Sequence, residues 1–371
     1  MKGIFRFASL LAAAVMLFAC EKIDTTDGIV IVSDKDVIRS NGQDVATIRV
    51  MFGDKDVTAE SVIYDEDDNV LALNGGEFTA TEDGEYKFWA EYGTYSTYDK
   101  NLDDNGLFVI KAISVEVPAA VSDDQKNNTS FVHRAFLTQY TGTGCGYCPY
   151  MIKILKELTA DKTIPEKAVL AAVHSYSNAD PAYIAAPKVN NYPYLTVDLV
   201  NGFSHTAGTS ALTSLVNESV SSSAKAGISV NPVYYKEEGM LVVKVAVKAA
   251  AAGTFNVGAW LLEDEIYGMQ TDYDGIKKLD PDNDYDTHES CVRIADSRYK
   301  GTWAGYLLGE MKSGDVLEKT FVMNLKKAWK PENLHLAVFV SYGEKDGSRI
   351  NYSVCNVVDA PIDAPTPFEY K

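Results

Sequence analysis

The sequence is poor in the residues that most often carry catalysis. It holds five histidines and five cysteines in 371 residues. No glycine-rich phosphate loop and no Ser-His-Asp arrangement is recognisable, and no cofactor signature is present. Past residue 18 no apolar run approaches the ~20 residues that a membrane-spanning helix needs. Basic residues are in deficit: 34 Lys and Arg stand against 52 Asp and Glu, a net charge of −18. That balance speaks against nucleic acid, or an anionic lipid surface, as a partner attracted by net charge. Hydrophobic residues at 46% and charged residues at 23% exclude a collagen, a coiled coil or a wholly disordered chain. The length implies roughly two to three domains. Tyrosine is abundant, 22 against 14 Phe and 4 Trp, which suits strands and wet binding surfaces. The odd cysteine count leaves one cysteine to explain separately.

The N-terminus explains it. Lys2 and Arg6 precede an apolar stretch, 7–18, broken only by Ser9. It is too short to span a bilayer and fits a secretory signal. It ends Leu17-Phe18-Ala19-Cys20, which resembles the bacterial lipobox. The resemblance implies a lipoprotein signal peptide over 1–19, an acyl-carrying (palmitate-type) Cys20, and a membrane anchor through it. The alternative is a plain signal peptide cut near Ala19. Glu21 follows where the enterobacterial sorting rule places Asp for inner-membrane retention, so the resemblance implies the outer membrane, on its periplasmic face or the cell surface. Residues 20–27 read as a tether, and the body lies outside the cytoplasm, where disulfides persist.

Residues 28–117 carry short alternating runs between turn signals such as Asn41-Gly42, Asp83-Gly84 and Asn105-Gly106. Several short strands at this spacing predict a β-sandwich. The stretches DVATIRVMFGDKDVT and GEYKFWAEYG resemble bacterial Ig-like spacer domains, which implies an Ig-like β-sandwich here. Residues 118–130 are small and polar, and read as a linker. Over 131–225 the expected order is β-α-β-α-β-β-α. Its second helix is placed at 181–190, with Asp180 as N-cap and Pro181 at the first helical position. Strand patterning returns over 226–371 as a second β-sandwich, with an acidic excursion near 268–290. The expected fold class is therefore multidomain α+β.

The stretch Thr141-Gly142-Thr143-Gly144-Cys145-Gly146-Tyr147-Cys148-Pro149 carries the chemistry. A C-x-x-C at the start of a helix places its first thiol at the helix N-terminus. The macrodipole and free N–H groups there favour thiolate. The second cysteine is close enough to attack a mixed disulfide and release the product. Zinc uses the same spacing but needs two further ligands, and Cys291 and Cys355 are distant.

Strand, C-x-x-C helix, strand, helix, then Tyr192-Pro193 before a hairpin and helix resembles the thioredoxin fold. The resemblance implies a thioredoxin-like α/β domain in which Pro193, in cis, faces the Cys145/Cys148 pair. Two departures stand out. Gly144 replaces the usual Trp, and Gln139 stands where an acid would relay a proton. Two functions stay open: thiol–disulfide exchange on an extracytoplasmic protein or peptide, or a surface-binding, adhesion-type lipoprotein whose cysteine pair is structural. The whole layout, with TQYTGTGCGYCP and HESCVRIADSRYKGTW, resembles the outer membrane protein 28-related lipoproteins of Bacteroidetes.

Cys291 and Cys355 are either a structural disulfide or two separate buried thiols. A bridge between them would stabilise by about 3–5 kcal/mol through loop closure. The acidic run Asp280-Pro281-Asp282-Asn283-Asp284-Tyr285-Asp286 places oxygens at alternate positions, like the front of a calcium loop. It lacks the glycine that such loops need, so a solvated loop is the competing reading. Asp65-Glu66-Asp67-Asp68 reads as a solvated turn. His133 and His174 sit at or beside strands and read as packing residues.

Overall fold

The structure is a computed structural model. It describes residues 28–102, 105–161, 163–164, 166–186, 189–297, 303–346 and 349–371. Cys20 and the signal segment lie outside the described residues.

Two sheets form the N-terminal part. One contains Ile29–Ser33, Ala46–Phe52, Lys55–Asp56 and Glu77–Phe78; the other contains Val37–Arg39, Phe108–Ile113, Gly84–Tyr92, Val62–Asp65 and Tyr95–Ser96. Side chains alternate across a strand, so Phe88 and Ala90 point inward together. They meet Ile31, Ile48 and Val50 of the facing sheet in a single core. Val37, Ile113 and Val115 then pack on Val242, which ties this part to the rest of the chain. Lys319 lies 3.1 Å from Asp36 at the same seam.

A second assembly follows. Its strands are β1 (Ala135–Thr141), β2 (Ala168–His174), β3 (Tyr194–Val197), β4 (Asn201–Phe203), β5 (Ala226–Tyr235), β6 (Met240–Ala249), β7 (Gly253–Glu263), β8 (Ile266–Tyr267), β9 (Thr287–His288), β10 (Cys291–Asp296), β11 (Tyr306–Met311), β12 (Val316–Asn324), β13 (Leu334–Asp346) and β14 (Arg349–Pro361). Its helices are α1 (Cys148–Ala160), α2 (Thr209–Ser219) and the single turn α3 (Ile276–Leu279).

The expected central α/β domain is not there. Strands β1 to β4 do not close a sheet of their own. They form one end of a nine-stranded sheet in the order β4-β3-β1-β2-β10-β7-β13-β14, with β11 also on β7. The junction is Ala172 of β2 against Cys291 of β10, in parallel. One face of β1 is covered by α1 and α2 through Leu137, Met151, Leu155, Leu195, Leu212 and Val216. Among the described residues, the other face has no helix layer. Phe136, Val169 and Val173 pack instead on Trp260, Leu262, Phe339 and Val357 of the same curled sheet.

Among the described residues of the helix expected at 181–190, none is helical. Asp180 does not cap a helix: its carboxylate receives the backbone N–H of Thr143 and of Ala182, and bonds His174. The described residues are thus mostly β, and α1 and α2 cover one face at one end of the large sheet. Strands β5, β6 and β12 make a three-stranded sheet. Its Ile228, Val245 and Phe321 pack on Phe255, Leu261, Val338 and Val340 of β7 and β13.

Candidate functional site

The candidate site is the loop 142–147 that follows β1. Cys145 and Cys148 are disulfide-bonded. The helix begins at Cys148, not at Cys145, with Pro149 in its first turn. The Cys148 N–H bonds the Cys145 carbonyl at 3.1 Å, a turn that holds Cys145 just outside the helix. Both cysteines are buried: Cys145 is 3% exposed and Cys148 0%.

Two segments bury them. From one side comes the stretch after β2. The Asp180 carboxylate accepts the Thr143 N–H at 2.6 Å, and the ring of Tyr176 lies 3.4 Å from where a side chain on Gly144 would sit. From the other side comes a strap from the acidic excursion. Thr271 N–H bonds Thr143 O at 2.8 Å, and Tyr273 N–H bonds Gly146 O at 3.1 Å. The buried Gln270 amide donates to Cys145 O at 2.8 Å and to Gly142 O and Thr143 O at 3.3 Å. The Tyr273 ring occupies the space a Cβ on Gly146 would need, with ring atoms 2.4 Å away. Only glycine allows that approach.

Pro193 is buried at the start of β3, after a cis Tyr192–Pro193 peptide. The next residue, Tyr194, pairs with Tyr140, two residues before the loop. Tyr192 meets Tyr176 edge to face at 5.3 Å, and Tyr176 in turn lies against Gly144 of the cysteine loop. Gln139 is buried at 4% exposure, and among the described residues its amide nitrogen has no partner.

Beneath the loop lies a cluster that sequence reading did not assemble. His174 Nδ1 lies 3.0 Å from both Asp180 oxygens, and its Nε2 lies 3.5 Å from Cys291 Sγ. His288 stacks edge-on to His174 at 4.9 Å and bonds Gly268 O at 2.9 Å. Burial opposes the charge on Asp180, yet the His174 contact and two backbone N–H donors hold its carboxyl well below the usual range. Burial pushes the Cys291 thiol well up, so it stays protonated and inert. No spacing in the sequence brings these residues together. The β2–β10 pairing does so.

Cys291 and Cys355 are not bridged; both are free, buried thiols. Register separates them. Cys291 is level with Glu263 of β7, and Glu263 with Leu334 of β13. Cys355 instead sits in the bulge opposite Val340 and Ser341. That offset of six residues is about 20 Å along a strand, far beyond the ~7 Å Cα limit for a disulfide. Burial pushes the Cys355 thiol up as well.

The acidic loop spends its oxygens internally. Asp280 bonds Tyr285 and Asn283, Asp284 receives the Asp286 and Thr287 N–H groups, and Asp286 pairs with Lys277 at 2.5 Å. Among the described residues no cluster of three or more His, Cys, Asp or Glu is placed to hold a metal ion. His133 bonds Ser222 O at 3.0 Å, away from the loop.

Fold and site together define a multi-sheet β protein with a disulfide sealed under a strap at one end of its large sheet. A family model described as outer membrane protein Omp28 matches residues 180–365, which is half of the chain. The chain belongs to the Omp28 family of outer membrane lipoproteins. The match includes the strap, Cys291 and Cys355, and begins after the cysteine pair. No curated protein matches. Among solved structures, HBP35 of Porphyromonas gingivalis is 15% identical, with a TM-score of 0.48 over 65% of this chain and 78% of that one. A domain of the outer membrane lipoprotein Omp28 from Porphyromonas gingivalis is 17% identical, with a TM-score of 0.23 over 38% of this chain and 89% of that one. The family assignment rests on the sequence match, not on these likenesses.

Proposed function

We propose that this lipoprotein, anchored through Cys20, performs thiol–disulfide exchange on extracytoplasmic proteins at Cys145 and Cys148. The observation that carries the reading is the position of the disulfide. It joins residues three apart at a helix start. Closing so short a loop removes little unfolded-chain entropy, about 2 kcal/mol in the chain-entropy model. A staple would join distant segments, and the chain leaves its two other described cysteines, on different strands, unjoined.

In the reaction, an external dithiol first reduces the Cys145–Cys148 disulfide and is itself oxidised to a disulfide; the Cys145 thiolate then attacks one sulfur of a substrate disulfide, and the other substrate sulfur leaves as thiolate. Cys148 thiolate then attacks Cys145 Sγ, re-forming the internal disulfide and releasing the second substrate thiolate. Two electrons pass to the substrate. The helix N-terminus favours the thiolate that forms at Cys148. In this reading Pro193 helps bind the substrate backbone. Burial of both cysteines favours a second reading, a surface-binding lipoprotein whose disulfide only shapes the loop.

The Cys148→Ser variant separates the two. Exchange predicts a mixed disulfide on Cys145, trapped from the cell envelope and released by reductant. A Cys148→Ser protein whose Cys145 stays a free thiol would support the binding reading.

A further inference from the structure

The strap over the disulfide has two unlike faces. Ile266, Gly268 and Gln270 point inward and are buried, while Tyr267 and Met269 between them are each 72% exposed. Extended chain alternates its side chains, so Tyr267 and Met269 lie on one outer face. Tyr273, further along the strap, is 62% exposed and meets the exposed Tyr147 of the cysteine loop edge to face at 5.4 Å. Exposed apolar and aromatic side chains thus run from the strap onto the loop between the two cysteines. Side chains this large are seldom left in water in a continuous group without a partner.

The surroundings are strongly acidic. Between residues 264 and 289 the chain carries nine Asp and Glu against two Lys, and Lys277 is already paired with Asp286. Tyrosine faces attract cations, and the acidic rim draws them from a distance. We infer that this strap face docks a basic, apolar-rich extended segment of the polypeptide whose disulfide is exchanged. Its apolar side chains settle on Tyr267, Met269 and Tyr273, and its Lys or Arg side chains meet the rim. The inference deepens the thiol-exchange reading, on which the choice of a polypeptide rests. Seating a segment on the strap places it directly above the sealed disulfide, so docking and access to Cys145 are linked.

The test uses the full chain and a fluorescein-labelled, cysteine-free peptide alternating Leu or Phe with Lys. A second peptide carries Glu in place of Lys. Fluorescence polarisation is expected to show saturable binding of the Lys peptide, weakened by salt, and none of the Glu peptide. The Tyr267→Ser/Met269→Ser variant, altered only at exposed positions, is expected to bind about tenfold more weakly or worse. Its circular dichroism should match that of the unaltered chain. A Cys145→Ser/Cys148→Ser variant should bind the peptide normally, which keeps this result apart from the exchange chemistry. Equal binding of the two peptides, or binding untouched by the strap substitutions, would overturn the inference.

Discussion

Replacing Asp180 with alanine tests how the cysteine loop is held. Its carboxylate is buried and meets three groups: the Thr143 N–H at 2.6 Å, the Ala182 N–H at 2.8 Å and His174 Nδ1 at 3.0 Å. Alanine leaves all three without their partner, the His174 and Ala182 groups in buried surroundings and the Thr143 N–H in partly buried ones. Each orphaned buried donor costs about 1–3 kcal/mol, and because the three share one carboxylate their costs do not simply add. The expected loss is therefore about 3–5 kcal/mol. Urea unfolding followed by tryptophan fluorescence reads it, because Trp260 and Trp303 pack in the core with Phe136. The pH dependence carries a sign. The folded Asp180 pKa lies below the ordinary carboxylate value of 3.8, so its contribution is present above about pH 4 and is lost as acid titrates it through the lower folded value. Asp180→Ala should remove that part of the acid limb. A loss below about 1 kcal/mol, with an unchanged acid limb, would refute the claim that Asp180 holds the loop.

Three further outcomes follow from the same geometry. Gln270→Ala removes the donor to Cys145 O, Gly142 O and Thr143 O, and should speed reduction of the disulfide by a small thiol about tenfold; an unchanged rate would mean the strap does not seal the loop. Cys145→Ser/Cys148→Ser should cost only about 2 kcal/mol of stability in urea, whereas a loss above about 4 kcal/mol would mark the pair as a structural staple. His335 bonds Asp359 at 2.6 Å and lies 3.5 Å from Asp264; burial opposes its charge, but the two carboxylates raise its pKa to about 9. Its stabilisation is full below about pH 6.5 and lost as pH rises through about 9, so His335→Gln should flatten that alkaline limb in thermal melts.

Strand positions were largely legible because alternation survives where one face of a sheet is buried, as in Gly84–Tyr92. Sheet membership was not. The run 168–173 reads as a buried strand, yet nothing in it announces that Ala172 pairs with Cys291, more than a hundred residues away. Without that pairing, residues 131–225 look like a separate α/β layer. Asp180-Pro181 carries a helix-start signal, and tertiary demand for the Asp180 carboxylate overrode it. The cysteine loop was legible from its glycines and its C-x-x-C. The strap was not, because Gln270 and Tyr273 lie in an excursion whose acidic composition reads as a solvated loop. The charge of −18, first read only as an argument against acidic partners, gains a local meaning where it rims the exposed tyrosines of the strap.

The most direct test of the exchange site is the reduction potential of Cys145–Cys148. The full chain would be equilibrated with glutathione redox buffers, quenched in acid and alkylated. Mass spectrometry of the peptide containing both cysteines then gives the reduced fraction. Exchange chemistry predicts a potential in the range of known oxidoreductases, about −120 to −270 mV. A value below about −300 mV, typical of structural disulfides, would contradict it.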